Sequence, residues 1–254
     1  GCVRFIGDAA TRIAEDHLRI LRFYRFAARF GHGDFEPVSH AAVIAARQSL
    51  KSLSRERVAD ELLKILSLPD PRAIAGQMAA DGIFAVILPE LADDFAAVLD
   101  RLIANEAAVG IEPAPLRRFA ALLPADPAAA EQVASRLRLS TRQRKHLAAL
   151  SAHRGALRPP RQLAHAIGVE GSRDAWLLAA EDPAAAKAAV ATLGDWQVPM
   201  LPMKGGDIIA RGVTAGPEVA RILRAIEAAW VAEDYPDAAR VAALADQMIG
   251  RTSD

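Results

Sequence analysis

Across residues 11–30 apolar side chains return at three- and four-residue intervals, the period of an amphipathic helix. Asp8 or Thr11 offers its start, and Gly31 and Gly33 its stop. Ahead of it, residues 3–6 read as a short strand or an extended entry. Pro37 marks a first helical turn, with a helix to about Leu50. Ser54 caps the next helix, whose apolar side carries Leu62, Leu63, Ile65 and Leu66 and which Pro69 and Pro71 end. Further helices are predicted over 71–80, 90–108 and 113–122, with Gly82 and Pro89 as punctuation, then near 128–138, 140–154, 160–168, 171–180 and 182–194. Residues 196–206 are irregular, and two helices follow over 216–233 and 236–249. No alternating strands follow residue 10, and no fixed-period repeat is present. The pattern predicts an all-α fold, an irregular multi-helix array of short antiparallel helices.

Four prolines, Pro113, Pro115, Pro124 and Pro127, concentrate between 110 and 127. They place the expected boundary there, between a domain of residues 1–110 and one of residues 111–254. Apolar residues inside that stretch predict a packed connection. The chain of 254 residues is 52% apolar, enough for a substantial core. Its formal net charge is zero, so nucleic-acid binding would have to rest on local patches. Arginine outnumbers lysine 26 to 5, and guanidinium suits bidentate contacts to bases and phosphates. Cys2 is the only cysteine, which excludes an intrachain disulfide and a cysteine-rich zinc site and fits a reducing compartment. No apolar run reaches the ~18 residues of a membrane span, and the first residues lack the pattern of a signal peptide. A cytoplasmic protein with no membrane partner is expected.

The first helix holds the densest candidate chemistry. Arg19, Arg22, Arg25 and Arg29 recur at three- and four-residue spacing and share one broad side. Ile13, Ile20, Leu21, Tyr24 and Ala27 gather on the other, and Asp16 stands one turn before Arg19. Glu15 and Asp16 supply fewer negative charges than these arginines supply positive ones. Spacing alone leaves two explanations open: a solvated basic face paired to acidic neighbours, or a guanidinium ladder neutralised by a polyanion such as a triphosphate.

Glu15-Asp16-x-x-Arg19 resembles the Glu-Asp-x-x-Arg motif of bacterial CCA tRNA nucleotidyltransferases and poly(A) polymerases. Arg4-Phe5-Ile6-Gly7-Asp8 resembles that family's approach to the motif, and the run from Arg19 to Phe26 its continuation. Ser54-x-Glu56-Arg57-Val58-x-x-Glu61-Leu62, Gly82-Ile83 and Leu88-Pro89-Glu90-Leu91 resemble later family blocks. So do Gly206-Asp207-Ile208-Ile209, Gly212, Gly216-Pro217 and Leu223, in family order. The resemblance covers the neck, body and tail region and implies a helical part without the family's α/β catalytic head.

It further implies that Asp16 and Arg19 form a protein template for the incoming base, with Arg22 and Arg25 adding contacts to its phosphates or sugar. The chemistry of such a template is direct. A carboxylate only accepts hydrogen bonds and a guanidinium only donates them. Cytosine and adenine present an amino donor beside a ring-nitrogen acceptor. Uracil and guanine put a carbonyl where Asp16 needs a donor, a mismatch costing about 1–3 kcal/mol per lost contact. Arg57 is a weaker candidate for supporting this face. CTP and ATP are the implied substrates and tRNA the implied partner.

Family members transfer nucleotides with an Asp-x-Asp pair that holds Mg2+. No Asp-x-Asp occurs here. Asp34-Phe35-Glu36 has a similar gap but reads as a loop, Gly171-Ser172 as a helix start, and Gly205-Gly206-Asp207 as a turn and cap. The metal ligands are therefore expected only in an intact parent enzyme, and this chain alone is expected to be inactive. His146 and His153 are seven apart and are expected in core or surface roles. The basic stretch Arg136, Arg138, Arg142, Arg144 and Lys145, extended by Arg154, Arg158 and Arg161, supplies RNA-backbone candidates, with a solvated basic surface as the open alternative. Trp176, Trp196 and Trp230 are expected to fill core. The competing functions are a poly(A) polymerase, a non-catalytic RNA-binding helical protein and a helical interaction module.

Overall fold

A computed structural model describes residues 1–31 and 35–250. The expected helix stop at Gly33 and the Asp34 end of the predicted loop lie outside these. Among the described residues the fold is all-α: fifteen α-helices, one 3-10 helix and no strand beyond an isolated bridge between Val3 and Phe35. The bridge is the extended entry expected near residues 3–6.

The helices are α1 (Ala9–Glu15), α2 (Arg19–Phe30), α3 (Pro37–Ala46), α4 (Arg55–Leu66), α5 (Arg72–Ala80), α6 (Ile83–Ile87), α7 (Phe95–Val109) and α8 (Pro115–Leu122). They continue as α9 (Pro127–Arg136), α10 (Thr141–His153), α11 (Pro160–Ala179), α12 (Pro183–Ala191), α13 (Gly205–Ile209), α14 (Pro217–Ala232) and α15 (Ala238–Gly250). The starts follow the sequence closely. Asp8 caps α1 by accepting from the Thr11 amide at 2.8 Å, and Ser54 caps α4 by accepting from Arg57 N at 3.4 Å. Ser140 and Gln143 close a capping box at the start of α10.

Three differences from the pattern have physical causes. The single helix expected over 11–30 is two, because Asp16 is extended (φ −152°, ψ 103°) and its carboxylate accepts the Leu18 amide at 3.1 Å, so the chain turns between α1 and α2. The helix expected over 90–108 starts at Phe95, after Pro89 and an irregular loop, and the five-residue α6 ahead of it is too short to show a period. Residues 160–179 run as one element, but Gly168 at φ 81° kinks it where the sequence placed a gap between two helices.

Contacts divide the chain into two compact units, Gly1–Leu157 with Arg173–Ala191, and Arg158–Ser172 with Thr192–Asp254. The expected division at residue 110 falls inside the first unit. There α7 packs on α8 and on α12, and α8 packs on α4 and α10, so the proline-rich stretch is a buried helix between two short loops within one core. In the second unit α14 and α15 enclose Ile222, Ile226, Trp230, Val241 and Leu244. Trp230 is fully enclosed, and its Nε1–H donates to the Pro236 carbonyl at 2.9 Å.

Candidate nucleotide site and basic surface

The turn between α1 and α2 positions the candidate site in the first unit. One side of α2 is anchored by Ile20, Leu21, Phe23 and Tyr24, all buried. Phe23 stacks on Phe5 with ring centroids 5.6 Å apart and on Phe35 at 5.3 Å, which fixes the rotation of the helix. The arginine side is thereby held outward.

Asp16 is 24% exposed and is gripped from two helices. Arg57, in the first turn of α4, donates through Nη2 to Oδ1 at 3.0 Å and Oδ2 at 3.2 Å. Arg22 Nη1 lies 3.7 Å from Oδ2. Partial burial pushes the Asp16 carboxyl up, but the Leu18 amide and the Arg57 and Arg22 guanidiniums outweigh it and hold the group below the ordinary carboxylate range. Of the roughly four acceptor positions on a carboxylate, the Leu18 amide and Arg57 occupy three, and Arg22 stands near Oδ2.

Arg19 Nη1 donates to Glu15 Oε2 and to the Arg12 carbonyl, each at 2.6 Å, and Arg12 shares the same Glu15 oxygen at 2.6 Å. The bond from Arg19, with the added field of Arg12, keeps Glu15 ionised below its usual range. Arg4, Arg12, Arg19 and Arg22 line a cleft of about 250 Å³ floored by Phe23 and Phe26. The structure thus sets the Asp16 carboxylate against Arg57 and Arg22, while the Arg19 side chain turns to Glu15 and the Arg12 carbonyl.

Arg25 departs from this group. Its Nε–H donates to Oε1 of Glu61, a carboxylate only 2% exposed, and its guanidinium lies 4.6 Å from the Phe26 ring centroid. Arg29 lies 5.3 Å from the Phe30 centroid. The arginine ladder is therefore partly neutralised inside the protein, by carboxylates from α1 and from α4.

The basic stretch near residues 136–146 is also paired more than its sequence suggests. Arg136 donates to the Ile87 carbonyl at 3.1 Å and to Glu90 at 2.5 Å, Arg138 to Glu56 at 2.7 Å, and Arg144 to Glu131 at 2.9 Å. Arg142 and Lys145 are exposed in the first turns of α10. Arg138 sits at φ 55° just past the end of α9, where the Leu139 amide bonds to Ala134 O at 2.9 Å. That is the left-handed position a glycine usually fills at a helix end.

Sequence reasoning missed a buried ionic cluster in the same unit. Arg117 and Arg118, neighbours on α8, are both buried and both donate to Glu106 on α7, Arg117 at 2.6 Å and Arg118 at 2.7 Å. Arg117 also reaches Asp174 at 2.7 Å, and His146 approaches the other oxygen of Asp174 at 3.1 Å. Arg118 donates to the Leu66 carbonyl at 3.0 Å and to the Pro69 carbonyl at 3.2 Å. Burial pushes Asp174 up, yet His146 and Arg117 hold it below the ordinary range. Two adjacent arginines in an otherwise apolar helix were the available signal.

Among the described residues no group of three or more His, Cys, Asp or Glu side chains comes together as a metal would require, and no helix is long and apolar enough to cross a membrane.

The chain has counterparts in sequence and in fold. Residues 34–95 match a family model described as a probable RNA- and SrmB-binding site of polymerase A. The fold resembles Bacillus stearothermophilus CCA-adding enzyme in complex with CTP, with a TM-score of 0.75 and 23% identity over 99% of this chain and 67% of that one. It also resembles Thermotoga maritima CCA-adding enzyme complexed with tRNA, with a TM-score of 0.65 and 17% identity over 99% of this chain and 64% of that one.

In sequence the chain is similar to human mitochondrial CCA tRNA nucleotidyltransferase 1, 46% identical over 66 residues, which is 25% of this chain and 15% of that protein. It is 38% identical over 121 residues to the CC-adding tRNA nucleotidyltransferase of Geobacter sulfurreducens, 43% of this chain and 26% of the relative. The matched segments thus span about a quarter or less of those curated relatives. The family match, the homologues and the shared fold together support the C-terminal region of a CCA tRNA nucleotidyltransferase or poly(A) polymerase as the region this chain resembles.

Proposed function

We propose that this chain is the nucleotide-selecting and RNA-binding helical part of a tRNA nucleotidyltransferase that uses CTP and ATP for 3′-CCA addition. The observation that carries this is the Asp16 carboxylate, ionised and paired with Arg57 and Arg22, at the turn leading into the helix whose Arg19 and Arg22 line a cleft with Arg4 and Arg12.

Asp16 takes the amino hydrogen of cytosine or adenine on Oδ2, where Arg22 stands 3.7 Å away. Arg19 donates to the ring nitrogen, after turning one amine from Glu15 or the Arg12 carbonyl. Arg22 contacts phosphate or sugar oxygens. Arg25 contributes only through its terminal amines, because Glu61 engages its Nε. Uracil and guanine set a carbonyl against Asp16, so two acceptors face each other and the pair is refused.

Arg136, Arg138, Arg142, Arg144 and Lys145 contact the RNA backbone. Their paired carboxylates limit this to a modest electrostatic contribution, with shape supplying the rest. The Mg2+ of an intact enzyme is held by carboxylates outside this chain, and the chain by itself does not transfer nucleotides. A poly(A) polymerase is the second possibility, favoured by the match of residues 34–95 to a polymerase A segment.

Equilibrium binding of CTP, ATP, UTP and GTP tests the template. CTP and ATP bind more tightly than UTP and GTP, and Asp16→Ala removes the difference. Discrimination that survives both Asp16→Ala and Arg19→Ala overturns it. Comparing a defective tRNA with a generic RNA 3′ end, after the chain is joined to a catalytic head, separates CCA addition from polyadenylation.

A further inference from the structure

Beyond Arg22, the outer face of α2 carries two large apolar side chains in solvent. Phe26 is 38% exposed and Phe30 is 59% exposed. They lie one helical turn apart, with ring centroids separated by 6.1 Å. Phe23, Phe84 and Phe119 of the same unit are buried, so these two rings are exceptions to how the unit uses phenylalanine. Phe26 also lines the cleft of Arg19 and Arg22, so the exposed aromatic surface runs on from that cleft. A continuous exposed apolar surface marks a place of contact more often than isolated apolar residues do.

Cations are interleaved with the rings. The Arg25 guanidinium lies 4.6 Å from the Phe26 centroid and that of Arg29 5.3 Å from the Phe30 centroid. Arg25 is tied to the buried Glu61, so it backs Phe26 from the inner side. Arg29 is exposed and forms no ion pair among the described residues. Rings and guanidiniums alternating along one helix face match an unpaired nucleic-acid strand, which offers a flat base and a phosphate with each nucleotide. A protein surface laid over both rings would also cover the Arg29 charge, which is costly unless a carboxylate comes with it. An RNA duplex fits less well, because its bases are already stacked within the helix.

We propose that this face of α2 is a stacking platform for the unpaired bases of an RNA strand, with Phe26 and Phe30 taking bases and Arg29 a phosphate. The inference rests on the RNA-binding part of the function proposed above and is independent of nucleotide selection.

Fluorescence anisotropy at fixed ionic strength tests it, with a short single-stranded RNA and an abasic strand of the same length and phosphate count as probes. The RNA should bind at least about fivefold more tightly than the abasic strand. Phe30→Ala should remove that difference and leave the affinity for the abasic strand unchanged. Phe30→Tyr, which keeps a ring, should retain it. Phe26→Leu probes the second ring in the same way, but Phe30 is the more exposed and its variants decide. Pairing the RNA to a complement should abolish the advantage. Arg29→Ala should weaken both strands and reduce the slope of log affinity against log salt by about 0.7. Equal affinity of the wild type for RNA and abasic strand, or a difference that survives Phe30→Ala, overturns the platform. The backbone contacts of α10 stand or fall separately, since Lys145→Ala should weaken both strands alike. Failure of the wild type to bind either strand overturns the platform and the RNA-binding reading together.

Discussion

Two arginine–carboxylate groups in the first unit use the same chemistry to opposite ends. At the α1–α2 turn, Asp16 meets Arg57 and Arg22 with 24%, 47% and 42% of those side chains exposed. At the α7–α8 junction, Glu106 meets Arg117 and Arg118 with no more than 3% exposed. The buried pair of guanidiniums is saturated: Nε, Nη1 and Nη2 of each find a carboxylate or carbonyl oxygen. The exposed group is looser: Arg22 Nη1 stands 3.7 Å from Asp16, and all three side chains keep contact with solvent. A saturated, dry ion cluster can only hold helices together. An unsaturated, wet one can exchange a partner for a ligand at small cost. Burial and the count of filled donors distinguish the two groups, and residue type does not.

The sharpest way to break this contrast is to remove the shared carboxylate of the dry cluster. Glu106→Gln leaves two buried guanidiniums short of charge and should destabilise the fold by about 3–5 kcal/mol, read by urea unfolding. A loss below about 1 kcal/mol, the range of exposed pairs, would erase the distinction. Asp16→Ala is the counterpart. It should cost stability no more than about 1 kcal/mol while weakening CTP and ATP binding by about 1–3 kcal/mol, roughly fivefold to 150-fold.

Acid provides a third probe. Asp174 and Asp16 are both held below their ordinary value of 3.8. Groups depressed in the folded state contribute stability that is fully present above the unfolded value and is lost as pH falls through the folded one. Acid unfolding should therefore steepen below about pH 4. Asp174→Asn should flatten that limb more than Asp16→Asn, because Asp174 is the more deeply buried; equal flattening would contradict the contrast.

The smallest effect is expected at Arg138. Arg138→Gly relieves a left-handed backbone position and gives up an exposed pair with Glu56, for a net gain under about 1 kcal/mol in thermal unfolding. If Arg138 contacts RNA as proposed, the same change lowers RNA affinity and the slope of its salt dependence.

Much of this was legible along the chain. The all-α class follows from helical periodicity and abundant alanine, and caps at Asp8, Ser54 and Ser140 lie at or beside the expected starts. Even the kink at Gly168 was marked by a gap between two predicted helices. Arg19, Arg22, Arg25 and Arg29 stood out by spacing, and Asp16, Arg19 and Arg57 by their places in blocks that resemble the family. The split of the first helix was not legible, because the apolar period continues across residues 16–18 and only the Asp16 side chain bonding to Leu18 N interrupts it. The neutralisation of Arg25 was hidden too, since Glu61 lies 36 residues away.

The sequence by itself determined the helices, their caps and the supply of arginines, because those depend on residues within a turn or two of one another. Only the tertiary structure decided which arginines are consumed and which stay available. That depends on carboxylates brought in from distant helices, such as Arg57 to Asp16 across 41 residues and Arg117 to Asp174 across 57. It depends equally on whether the meeting place is wet or dry, since low dielectric turns a weak pair into a fixed one. No local pattern encodes either quantity.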